Sequence, residues 1–200
     1  MTPTTHTARL STLVAATLAA AALALTGCGG TEPAVPDGGT PPTSTAPPPP
    51  TVCTDRIDEA TGVDTCDVEA VLSTAAAALY SYRPTEQPRK GVDLDAAATL
   101  LNPLWVQEVG ESSSALAPVT GAEWDRWATS GITVDADANV TSDDHPADTD
   151  TLVRRVVAVQ QTLVDAGGAT IGELTPIALY MTATRANRLT GWAVSAMTVR

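Results

Sequence analysis

Ser112, Ser113 and Ser114 place three hydroxyls side by side, and His145 is the one histidine beyond the amino-terminal segment. A serine nucleophile needs a histidine or similar base and a strained turn such as G-x-S-x-G to present it. No such turn surrounds these serines. His145 lies in SDDHPADTD, where a solvated histidine among carboxylates is the ordinary reading and a catalytic or metal role the sharper one. Asp135, Asp137 and Asn139 copy the opening D-x-D-x-N of a calcium loop, but Val140 stands where glycine is needed and Pro146 where the bidentate glutamate is needed. Asp143, Asp144, Asp148 and Asp150 could attract a divalent ion loosely; a solvated loop explains them as well. No catalytic residue, metal ligand or cofactor site is assigned from these groups.

The cysteines carry more information. Residues 1–9, MTPTTHTAR, are polar with one firm positive charge, and Leu10 to Leu25 is an apolar or small run without charge, the order of a secretory signal. Its length is close to that of the shortest membrane-spanning helices, so a retained signal anchor is the alternative. The run closes with LTGC and opens into GGTEPAVPDGG. This resembles the lipobox of bacterial lipoproteins, which implies that Cys28 receives a diacylglyceryl thioether and becomes the first residue after cleavage. One acyl chain holds only marginally and two or more anchor stably, which is the physical sense of such a modification.

Three cysteines leave one over in an exported chain, and lipidation removes Cys28 from the count. Cys53 and Cys66 then remain to pair. Export implies an oxidising compartment, where closing CTDRIDEATGVDTC is worth about 3 kcal/mol in the chain-entropy model, so a disulfide is favoured over two buried thiols.

Gly29 to Thr51 reads GGTEPAVPDGGTPPTSTAPPPPT, too poor in large apolar side chains to offset the entropy of ordering. Its proline run favours extended polyproline II at about 3.1 Å per residue, a tether that would hold a domain tens of ångströms above a bilayer. The expected organisation is a signal over 1–27, a lipidated cysteine and tether over 28–51, and one folded domain over 52–200, exported and anchored to the outer face of the cell membrane. The formal net charge of -12 argues against nucleic acid and anionic headgroups as partners, since both call for basic patches.

Within 52–200 the hydrophobic period changes once. Asp67 caps a predicted helix with Val68, Val71, Leu72, Ala75, Leu79 and Tyr82 on one face, stopped by Pro84. Asp93 is expected to open a second helix with Leu94, Ala97, Ala98 and Leu101 on one side. Asn102-Pro103 begins a fresh turn. Thr120-Gly121-Ala122-Glu123 matches a capping box for a short helix carrying Trp124 and Trp127, ended by Gly131. From ITVDADANV onward the alternation is of period two, with three longer strands expected in TLVRRVVAVQQTLVD, ELTPIALYMTATR and GWAVSAMTVR. Arg154 and Arg155, adjacent in a strand, must point to opposite faces. Helices first and an antiparallel meander afterwards predict an α+β domain with the helices against one face of a four-stranded sheet.

That order, with RRVVAVQQT and the tryptophan-bearing final strand, resembles the NTF2-like cone, in particular actinobacterial lipoprotein and membrane-tethered versions similar to VirB8-type and Mce-associated proteins. The resemblance implies a concave sheet closed by helices. It also implies a non-enzymatic binding or scaffold role toward another envelope protein in secretion, conjugation or lipid import. Other members hold an apolar ligand in the cone, and some are isomerase-type or cyclase-type enzymes; no catalytic residue transfers to this chain. Trp105, Trp124, Trp127, Tyr180 and Trp192 are then either the wall of a pocket or the bulk of the core, the second being favoured in a chain without phenylalanine. Self-association through the sheet is left open.

Intact-mass measurement of the full chain extracted from its own membranes should find a diacylglyceryl or triacyl addition that Cys28→Ala abolishes. An unmodified, uncut chain would mean a retained anchor helix.

Overall fold

The computed structural model describes residues 52–54 and 56–200. All of them lie in the second of the two units into which the chain divides, Pro47–Arg200. Cys28, the signal and the whole of the tether fall outside the described residues. No helix among the described residues is long and apolar enough to cross a membrane.

Asp67 caps α1 (Val68–Tyr80), its side chain accepting from the amides of Glu69 and Ala70. The helix buries Val71, Leu72, Ala75 and Leu79 of the expected stripe together with Ala76 and Tyr80; Val68 is half-buried, and Tyr82 lies past the helix end in a bridge to Val134. α2 (Pro103–Val109) starts with Asn102 as cap and proline in the first turn. In α3 (Gly121–Ser130) the Thr120/Glu123 capping box is complete, and Gly131 ends the helix at φ 65°, the left-handed conformation that glycine adopts without a Cβ penalty.

The helix expected from Asp93 does not form; turns lead to a single 3-10 turn, Ala98–Leu100. Asp93 does cap, accepting from the amide of Ala96 at 3.0 Å. The continuation fails because Leu101 forms a parallel bridge with Val194, the amide of Asn102 donates to the Val194 carbonyl at 2.8 Å, and Pro103 disfavours helical dihedrals at the residue before it. Tertiary pairing overrides local propensity here.

Five strands follow rather than four: β1 (Thr133–Val140), β2 (Leu152–Val164), β3 (Thr170–Glu173), β4 (Ile177–Thr184) and β5 (Ala193–Val199). They make one antiparallel sheet in the order β1-β2-β4-β5, with β3 paired to β2. Thr162 pairs with Asp135 on one side and Glu173 on the other, so β3 continues the β4 edge of β2. The segment read as one strand, ELTPIALYMTATR, is therefore broken. The amide of Leu174 still donates to Gln161 at 2.9 Å, but Pro176 has no N–H to offer, and regular pairing resumes at Ile177.

Alternation divides the sheet into two faces, with one bulge in β5 that turns both Val194 and Met197 inward. Val134, Val153, Val157, Val159, Leu179, Met181, Ala183 and Val194 are buried against the helices, as are Trp105, Trp124, Trp127 and Trp192. The four tryptophans are core. Tyr180 is not: it is 46% exposed on the opposite face of β4, which corrects its assignment to the core.

Cys53 and Cys66 form a disulfide. Its loop is pinned to the start of β5, because the carbonyl of Thr65 accepts from the amide of Trp192 at 2.8 Å and a Cβ at Gly191 would collide with the Thr65 side chain.

The Tyr80 hydroxyl donates to the Leu116 carbonyl at 2.9 Å, whereas the Tyr82 hydroxyl is fully buried and has no hydrogen-bond partner among the described residues. Burial pushes both phenols far above their ordinary pKa. An unpartnered buried hydroxyl costs about 1–3 kcal/mol. Tyr82→Phe is therefore expected to raise stability by about 1 kcal/mol in urea denaturation; a loss would mean that the hydroxyl has a partner.

Candidate functional site

Two clefts, one on each side of the sheet, bring together side chains that could meet a partner. The outer one begins with β-strand alternation. Residues 154, 156 and 158 of β2 face away from the helices, as do 178, 180 and 182 of β4, and 196 and 198 of β5. Apart from Arg154, these positions hold Val156, Ala158, Ala178, Tyr180, Thr182, Ala196 and Thr198, small or apolar instead of charged. A groove of about 350 Å³ runs over Tyr180, Val156, Thr182 and Ala196 and is walled by Arg154 and by Asp144 to Pro146 of the β1–β2 loop. The guanidinium of Arg200 lies 5.1 Å from the centre of the Tyr180 ring, a cation–π contact that steadies an exposed aromatic side chain.

That loop is held from the other side of the sheet. Arg155, whose side chain is 8% exposed, donates Nη1 to Asp148 Oδ1 at 2.7 Å and Nη2 to Asp148 Oδ2 at 2.8 Å. Its Nε reaches Glu69 Oε1 on α1 at 3.3 Å, and its Nη1 also contacts His145 Nδ1 at 3.2 Å. The forked, charge-assisted pair explains why one strand arginine is buried while Arg154 beside it is exposed. The Arg155 hydrogen bonds hold the Asp148 carboxyl below the usual carboxylate range, and Asp148 in turn raises the guanidinium.

The inner cleft, also about 350 Å³, opens where β3 gives way to β4. Trp127, Leu174, Ile177 and Val199 wall it, with Gln161 among its lining residues. Gln161 is 1% exposed, and its Nε2 donates to the Tyr80 carbonyl at 2.6 Å. Glu123 is the carboxylate at the rim, and the capping box holds it below its ordinary pKa through hydrogen bonds from Thr120. A general acid or base working at neutral pH requires the opposite shift. Arg155 and Gln161 are the buried polar side chains among the described residues.

The other polar candidates are dispersed. Ser112 donates to the Val109 carbonyl and Lys90 to the carbonyls of Ser114 and Ala117, while His145 keeps to Arg155 and Asp148. Asp143 accepts from Thr141, Asp148 binds Arg155 and Asp150 pairs with Arg188, so the acidic loop is divided among separate partners. Among the described residues no three potential ligands are grouped for a metal ion.

Sequence reasoning missed the outer groove. Its signal was present in the same alternation that located the core: the half of β2, β4 and β5 that should be solvated carries few charges. Comparison with protein-family models, with curated proteins and with solved structures finds no match.

Because Asp148 has a depressed pKa in the fold, its contribution to stability is complete above the unfolded carboxylate range and is lost as pH falls through the folded value. Asp148→Asn should cost about 1 kcal/mol at neutral pH, discounted for a side chain that is 41% exposed, and should flatten the acid limb of the stability curve. Chemical denaturation between pH 7 and pH 2 measures both.

Proposed function

We propose that this chain is an envelope lipoprotein, exported and anchored to the outer face of the cell membrane through Cys28, whose NTF2-like domain is a non-enzymatic binding or scaffold module for another exported or membrane protein. The observation that carries the reading is the uncovered sheet face, on which a half-exposed tyrosine stands among small and apolar residues. Interface centres are enriched in tyrosine and arginine and depleted in lysine and acids, which is the composition found around Tyr180, Arg154 and Arg200. The helices-first order and the helical layer on a single face of the antiparallel sheet support the NTF2-like assignment.

A second reading rests on the inner cleft, where Trp127 and Gln161 would receive a small apolar molecule with one hydrogen-bonding group. Its volume is at the lower end of ligand pockets, and its floor amide is already engaged with Tyr80. The isomerase or cyclase reading would need a carboxylate with a raised pKa beside that cleft, and Glu123 is shifted the other way.

A photo-crosslinking residue at position 180, in the full chain in its own membranes, should form an adduct with protein, while the same residue at Asp125 on the exposed side of α3 should not. Equal or absent labelling at the two positions would contradict a docking role for the sheet face.

A further inference from the structure

We propose that the occupant of the outer face is a second copy of this chain, packed sheet against sheet about a two-fold axis that runs along the strands between β2 and β4. The inference rests on the reading of that face as a docking surface and names what docks there. Its basis is the distribution of charge across the face. On β1 the outward residues include Asp135 and Asp137; Asp135 is paired with Arg83 at 2.8 Å, and Asp137 has no ion-pair partner among the described residues. At the far edge Arg200 continues the outward alternation of Ala196 and Thr198. The strand order β1-β2-β4-β5 therefore places acid at one margin and arginine at the other, with small and apolar residues between them apart from Arg154 of β2.

A two-fold axis along the strands turns one sheet over onto the other and exchanges the margins. β1 of one protomer then faces β5 of its partner, and β2 faces β4. An axis across the strands would instead stack the acidic margin on itself, which like-charge repulsion disfavours. The register makes the favourable arrangement specific. Ala158 pairs with Ala178, to whose carbonyl the amide of Arg200 donates at 3.0 Å, and Asp137 pairs with Gln160, two residues further along β2. Asp137 of one protomer thus falls about 6.6 Å along the strand direction from the level of Arg200 in the other, within reach of an arginine side chain. Ala158 meets Ala178 across the axis, and Tyr180 comes over Val156, so small side chains at the centre let the sheets approach to the usual spacing of about 10 Å.

Four strands about 4.8 Å apart and seven residues at about 3.3 Å give a footprint on the order of 450 Å² before side-chain relief, at the small, reversible end of specific interfaces. Two copies of an acidic chain also repel at long range, a term that salt screens. Anchoring both copies in one membrane would raise their effective concentration and offset that weakness.

Charge reversal tests the arrangement. Asp137→Arg or Arg200→Asp alone should weaken dimerisation of the full chain roughly ten-fold by sedimentation equilibrium in detergent. The double variant Asp137→Arg/Arg200→Asp should restore it, since each reversed margin again meets its opposite. A monomeric wild-type chain at the concentrations it reaches in its membrane, or single reversals that leave the dimer intact, would overturn the proposal. Crosslinking from position 180 separates the two readings: an adduct of twice the chain mass supports the second copy, an adduct with a different protein alone overturns the second copy and leaves the docking reading standing, and no protein adduct sinks both.

Discussion

An antiparallel sheet has two faces, and among the described residues helices cover one. Val153, Val157 and Val159 of β2 and Ile177, Leu179 and Met181 of β4 face the helices and are buried, and the alternate positions cannot be, because a residue on a strand projects to one side or the other. The division governs the whole domain. It places four tryptophans and two tyrosines in a single core, leaves Tyr180 outside it, and obliges the outer face either to be charged and solvated or to meet something else. The outer face carries too few charges for the first outcome.

Arg155 is the point at which the two faces are coupled. It is a buried guanidinium within the helix-facing layer, and burying a cation is costly unless its donors are satisfied. Asp148 satisfies two of them in a fork and Glu69 a third, so that a loop, a helix and a strand are tied at one residue. The same loop supplies the wall of the outer groove. Neutralising the arginine's partners would thus disturb the groove that Arg155 and this loop line together.

Where local chemistry alone decides structure, the sequence was a good guide. Asp67, Asn102, Thr120 with Glu123, and Gly131 act as the caps they resemble, and the change of period at Ile132 marks the passage from helices to sheet. Where partners distant in sequence decide, it was not. The failed helix after Asp93 depends on Val194, the break between β3 and β4 involves a proline that was read through, and the Arg155 cluster joins residues 69, 148 and 155, whose spacing follows no period. Tyr180 was misplaced because an aromatic residue in an apolar strand was counted as interior, although strand alternation puts it opposite Met181. Cys53 and Cys66 pair as parity suggested, and the disulfide loop docks on Trp192 in a way that no motif announces.

The proposed anchoring and docking together require that the Tyr180 face be covered in the cell envelope. Hydroxyl-radical footprinting of the full chain in native membranes, and again after extraction and dilution in detergent, tests it directly. The account predicts that Tyr180 is protected in the membrane and becomes several-fold more reactive on dilution, while the buried Trp124 and Trp127 stay unreactive in both. Equal oxidation of Tyr180 in the two states would contradict it.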